Sequence, residues 1–142
     1  WDEVGADYIW RRYFEVWCEA VTSSVPFTVM SHPDLVKKFN RMPSFDPKPL
    51  FQQAAEAARA GERMIEVNTS GLTYACKEMF PCQDLLREFQ RAGIRCTIGS
   101  DAHQPSKVDQ FIEQGYRWMY DAGYREVSVV RPDGDIRTIA LT

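Results

Sequence analysis

The chain has 142 residues, a net charge of −3 and an isoelectric point near 5.4. One domain is expected, with no basic surface for a polyanion, so nucleic acid is not an expected partner. Hydrophobic residues make up 44% and aromatics 13%, enough for a packed core and too much for a disordered chain, and no apolar run approaches the ~18 residues that cross a bilayer, so no membrane partner is expected.

Residues 2–23 carry a helical period. Ile9, Tyr13, Val16, Trp17 and Ala20 recur at spacings of three and four, with charges between them. Ser23, Ser24 and Pro26 end the pattern, and a strand over 27–31 follows. A short helix is expected from Pro33 to Phe39, with proline in its first turn. The loop from Met42 to Pro49 ends with Asp46 as a good N-cap and Pro47 as a good first helical residue.

The following hundred residues repeat a pattern. Helices over 47–60, 82–92 and 107–122 lead to strands over 64–68, 96–100 and 127–130. Each junction holds a glycine (Gly61, Gly93, Gly123), spaced 32 and then 30 residues apart. Each is expected to be a left-handed C-terminal cap, which favours a residue without Cβ. Alternating helix and strand at this period is the βα unit, whose crossovers run parallel and right-handed. Pro132-Asp133-Gly134 then turns the chain into a last strand over 136–141, so Val127 to Leu141 reads as an antiparallel hairpin. Four parallel strands and a hairpin are too few for a closed barrel of about 250 residues. The sheet is therefore expected to be open, or to be part of a larger barrel.

Chemistry-bearing residues cluster at strand ends. Cys96 to Ser100 is a short apolar run that stops at Gly99-Ser100 and presents Asp101 and His103. His32, the chain's other histidine, follows the run Phe27 to Met30. Parallel α/β proteins place their sites at these C-terminal strand ends. Carboxylate and imidazole are good ligands for a divalent metal. Position and pattern favour ligand roles for both histidines over the roles of ordinary core or surface residues. Ser106 is expected to cap the helix at 107, leaving Asp101 free. Asp34 is read as stabilising its helix start. Asn68 is read as either a partner that orients a ligand or a turn residue. Glu66 either faces a barrel interior or pairs with Arg63. Lys37 and Lys38 are adjacent, so at most one faces the site. Tyr116, Trp118, Tyr120 and the first-helix aromatics are expected in the core or in a seam.

The four cysteines fit neither a redox nor a zinc spacing. Cys18 and Cys96 read as core residues. Cys76 and Cys82, near one loop, leave a disulfide open. The first residue is Trp1 rather than Met, so localisation is not legible from the start of the chain.

Three segments together resemble the polymerase-and-histidinol-phosphatase (PHP) family, and within it the monofunctional histidinol-phosphatases. They are His32-Pro33-Asp34-Leu35-Val36-Lys37-Lys38-Phe39, Glu66-Val67-Asn68-Thr69-Ser70-Gly71-Leu72 and Gly99-Ser100-Asp101-Ala102-His103. They occur in the family's order, and the resemblance runs from about residue 8 to the end. It implies an α/β fold: residues 1–142 as the C-terminal part of a distorted, TIM-like (β/α)7 barrel, without its N-terminal half. It implies a metal-dependent phosphomonoester hydrolase converting L-histidinol phosphate to L-histidinol and phosphate, cytoplasmic and part of histidine biosynthesis. His32, Asp101 and His103 are the implied catalytic residues and metal ligands, serving different ions of a cluster of up to three (Zn, Mn or Fe). Lys37, Lys38 and Asn68 are the expected substrate-binding residues.

The family's His-x-His pair, its other N-terminal histidines and its bridging glutamate have no counterpart here. Three ligands spread over three ions leave each ion short of about four donors. This chain alone is therefore expected to be incomplete as an enzyme. Where family members often carry a phosphate-binding arginine after the Gly71 region, Thr73 and Tyr74 stand instead, with Lys77 the nearest cation. The alternative reading is a non-catalytic half-barrel module. It would form a homodimer, or dock on a missing N-terminal half, through open sheet edges.

Overall fold

The computed structural model describes residues 2–142. Its elements are α1 (Gly5–Val21), β1 (Val29–Met30), α2 (Lys48–Ala60), β2 (Met64–Asn68), α3 (Gln83–Arg91), β3 (Cys96–Gly99), α4 (Ile112–Asp121), β4 (Glu126–Val130) and β5 (Ile136–Ala140). Single 3-10 turns lie at Leu35–Phe39, Thr69–Thr73 and Pro105–Lys107.

The sheet is a three-stranded parallel one in the order β1-β2-β3, with Met30 opposite Ile65 and Ile65 opposite Cys96. These three residues share the face on which the helices pack, because neighbours in register point the same way. Ile65, Val67 and Cys96 are buried there with Phe14, Trp17, Phe51, Leu86 and Phe89. α1 buries the stripe Trp10, Phe14, Trp17 and Val21. Of the expected stripe only Trp17 belongs to it, while Ile9, Tyr13 and Ala20 are half-buried and Val16 is exposed, so the helical period holds but its buried face is shifted. The opposite face carries Glu66, Thr97 and Gly99 and is only partly covered.

The fourth strand departs from expectation. β4 pairs antiparallel with β5 alone, Glu126 to Val130 against Ala140 to Ile136, as a separate two-stranded unit. The hairpin was legible, but its membership in the parallel sheet was not. No closed barrel forms among the described residues.

Several local expectations also shift. β1 has two residues rather than five, and the short helix expected from Pro33 to Phe39 is a 3-10 helix over Leu35–Phe39. The helix expected from 107 begins at Ile112, after Phe111 in the left-handed conformation (φ 61°), so Ser106 caps no α-helix. Gly93 (φ 74°) and Gly123 (φ 107°) have the expected left-handed backbone, whereas Gly61 sits at φ −81°. What Gly61 provides is room: a Cβ there would stand 2.1 Å from Val21 O, at the end of α1. Beside it, the Arg63 guanidinium donates to the carbonyls of Val21, Ser23, Val25 and Phe27. Arg63 therefore folds the α1–β1 loop and does not pair with Glu66. All four cysteines are free thiols, so no Cys76–Cys82 bridge exists. Tyr116 and Tyr120 are exposed rather than core, while Trp118 is half-buried and donates to Pro81 O at 3.0 Å. No helix among the described residues is long and apolar enough to cross a membrane.

Candidate functional site

The parallel strands end on one rim. His32 lies two residues past β1, Asn68 is the last residue of β2, and Asp101 and His103 follow β3. With β2 between the others, the His32 and Asp101 segments stand roughly 10 Å apart, two strand spacings. The three implied ligands are thus at the same end of the sheet, but only Asp101 and His103 share a pocket.

That pocket is a cleft of about 140 Å³ whose walls include Ser70, Tyr74, Asp101, His103 and Lys107. Asp101 adopts φ 53°, a left-handed conformation that aspartate tolerates better than most residues. The turn brings His103 Nδ1 to 2.8 Å from Asp101 O. A carbonyl only accepts, so in the neutral ring Nδ1 carries the proton and Nε2 keeps its lone pair. Ser100 Oγ donates to Val108 O at 2.8 Å, and Thr69 Oγ1 to Gln110 O at 2.6 Å, fastening the segment before α4 to the rim.

Asn68 is 1% exposed, and its amide is committed inward. Oδ1 accepts from Ser70 N (3.0 Å) and Ser70 Oγ (2.6 Å), and Nδ2 donates to Glu66 Oε2 at 3.1 Å. It caps the turn after β2 and holds the Glu66 carboxylate, so it does not present itself to a substrate. Its backbone is fixed as well, by reciprocal hydrogen bonds with Phe80 (2.6 and 3.1 Å).

Lys37 also departs from its expected role at a phosphate. Its side chain is buried, with Nζ 3.0 Å from Asp34 Oδ2, 2.7 Å from Glu78 Oε2 and 2.7 Å from Met79 O. Burial acts to lower the lysine pKa, but the Asp34 and Glu78 carboxylates outweigh it and the net shift is upward. Burial likewise pushes the Cys82 thiol and the Tyr13 phenol well up. Lys38 is the neighbour that faces outward, with Nζ 4.2 Å from the centre of the Tyr74 ring, a wall of the cleft.

Several larger grooves lie elsewhere, none of them lined by a histidine. One of about 480 Å³ runs along α1 past Tyr8, Tyr13 and Met30, and one of about 590 Å³ lies between α4 and the hairpin. The walls of the first are almost wholly apolar, so the small polar cleft, which holds a histidine, is the better place for chemistry.

Among the described residues, no three His, Cys, Asp or Glu side chains converge as a metal-binding group. His32 stands apart from Asp101 and His103, and two donors do not satisfy an ion that takes four or more. The described residues alone therefore do not fit the expected ions.

No family model matches the chain. It is similar to a protein of Deinococcus radiodurans named probable histidinol-phosphatase, 32% identical over 121 residues. The match covers 84% of this chain but 45% of that protein, so the chain spans about half the length of its relative. The similarity supports a histidinol-phosphatase-like family.

Three residues of the site were not singled out from the sequence. Tyr13 read as a core position of a helical stripe. Ser70 stood only within a motif segment, and Lys107 read as the first residue of a helix. The Asp34-x-x-Lys37 spacing did carry a signal, since side chains three apart on a helical turn are neighbours and oppositely charged ones pair.

Proposed function

We propose that this chain is part of a phosphomonoester hydrolase of the histidinol-phosphatase type, with L-histidinol phosphate as substrate. The observation that carries the reading is the Asp101–His103 turn at a parallel-strand end, in a chain similar to a probable histidinol-phosphatase. Asp101 supplies a carboxylate that orients or deprotonates the attacking water. His103 offers Nε2 to the same cleft. Lys38 and Lys107 supply positive charge for the phosphate, acting as point charges rather than as a fork. The PHP fold, the cytoplasmic biosynthetic setting and the requirement for divalent ions belong to the same proposal. His32, Asp101 and His103 would each serve a different ion, and each ion's shell would need further donors from outside the described residues.

The test is release of phosphate from L-histidinol phosphate. It is run on the chain alone, and on the chain with the unmatched part of the Deinococcus protein supplied in trans. Phosphate release that Asp101→Asn lowers at least a hundredfold supports the reading. Equal rates for both forms oppose it.

A further inference from the structure

His32 is a non-glycine residue at φ 33°, a conformation that needs support from its surroundings. Support comes from two sides. From α1, Tyr13 Oη donates to His32 O at 3.3 Å and accepts from Leu35 N at 3.2 Å. From the segment between β2 and α3, Cys82 N donates to Asp34 Oδ2 at 2.8 Å, and Lys37 Nζ joins Asp34 to Glu78 and Met79 O. Asp34 and Lys37 are 0% and 2% exposed at their side chains.

We infer that Tyr13, Asp34 and Lys37 are positioning residues: a two-sided clasp that fixes the His32 turn on the rim beside the β2–α3 segment. The inference rests on the proposed function for the role of His32, but the clasp itself is a statement about geometry.

Stability alone gives a poor account of this arrangement. Taking a carboxylate and an ammonium out of water costs several kcal/mol per ion, and replacing such a pair by neutral side chains is often neutral or stabilising. Asp34 also leaves Oδ1 buried without a hydrogen-bond partner, a further cost. A network selected only for stability would not keep that orphan. What the pair does supply is direction. One carboxylate is held by a backbone amide of the neighbouring loop and by a lysine that reaches two further groups there. The residue two positions before that carboxylate is His32.

Two variants test the clasp. Tyr13→Phe keeps the buried ring and removes only the hydroxyl bridging His32 and Leu35. The double variant Asp34→Asn/Lys37→Met removes the buried charges while keeping similar volumes. The primary readout is the imidazole 1H–15N spectrum, in which the two histidines serve as each other's control. Both variants should move the His32 ring signals toward those of a free histidine and leave His103 in place. The double variant should keep its urea midpoint. In the phosphatase assay, kcat should fall about tenfold with KM within twofold. Unchanged His32 ring signals in Tyr13→Phe overturn the clasp. So does a double variant whose His32 and His103 signals shift alike. If the parent protein releases no phosphate, the proposed function fails, and the spectra still decide the clasp. Tyr13→Phe alone carries that decision if the double variant does not fold.

Discussion

The Glu66 carboxylate fills the space in front of Gly99: a Cβ built on Gly99 would stand 2.3 Å from Glu66 Oε1. The two residues are on adjacent strands, and Asn68, paired in register with Gly99, holds the other carboxylate oxygen. A glycine at the end of β3 therefore sets where an acidic group stands on the open face of the sheet, one strand from the Asp101 turn. The sequence left Glu66 between a barrel-interior position and an ion pair with Arg63; the packing removes the ion pair and puts Glu66 on the face opposite the helices.

Gly99→Ala should separate site geometry from stability. The obstacle to the new methyl is the far end of a flexible side chain, so the chain should fold with a loss below about 1 kcal/mol in urea denaturation. Displacing the carboxylate should lower phosphate release by about 10–100-fold. Full activity in Gly99→Ala would remove Glu66 from the site.

Gly61→Ala should behave in the opposite way. The new Cβ meets the backbone carbonyl of Val21, which has no rotamer to escape into. The φ of −81° suits alanine, so the whole cost is steric. A loss above about 2 kcal/mol is expected in urea denaturation. Gly93→Ala meets open space but sits at φ 74°, so its cost, roughly 1–2 kcal/mol, should come from backbone conformation alone.

Alkaline pH should weaken the fold. Cys82, Cys96, Tyr13, Tyr124 and Lys37 all bind their protons more tightly in the folded chain, the cysteines and tyrosines chiefly through burial. Above about pH 8.5 the unfolded cysteines lose protons, and above about pH 10 the tyrosines and lysine follow, while the folded chain keeps them. The unfolded state then binds fewer protons, so stability falls as pH rises. The contribution is fully present below about pH 8 and declines through pH 11. Urea midpoints under reducing conditions, read at unit steps of pH, measure the decline; a flat profile would contradict it.

Periodic signals gave the helices and strands of the repeat because burial imposes period on sequence. The bounds Met64–Asn68 were legible from the repeat of helix, glycine and strand. The αL caps at Gly93 and Gly123 were legible because glycine there answers a local backbone need. Gly61 was misread because its reason is a contact with a helix forty residues earlier, which no local pattern carries. Asn68 is the turn residue that one of its two readings named, but its inward amide, like the burial of Lys37, was not legible, because a polar residue near a strand end looks alike whether it faces solvent or an internal partner. β4 has the strand pattern in either sheet, and only tertiary pairing decides where it goes.

The central claim is phosphomonoester hydrolysis at the Asp101–His103 rim, and the most direct measurement is phosphate release from L-histidinol phosphate with the unmatched part of the relative supplied. We predict release by the parent chain and at least a hundredfold less by Asp101→Asn, with its urea midpoint unchanged. Release that is absent from the parent, or equal in the two, would contradict it.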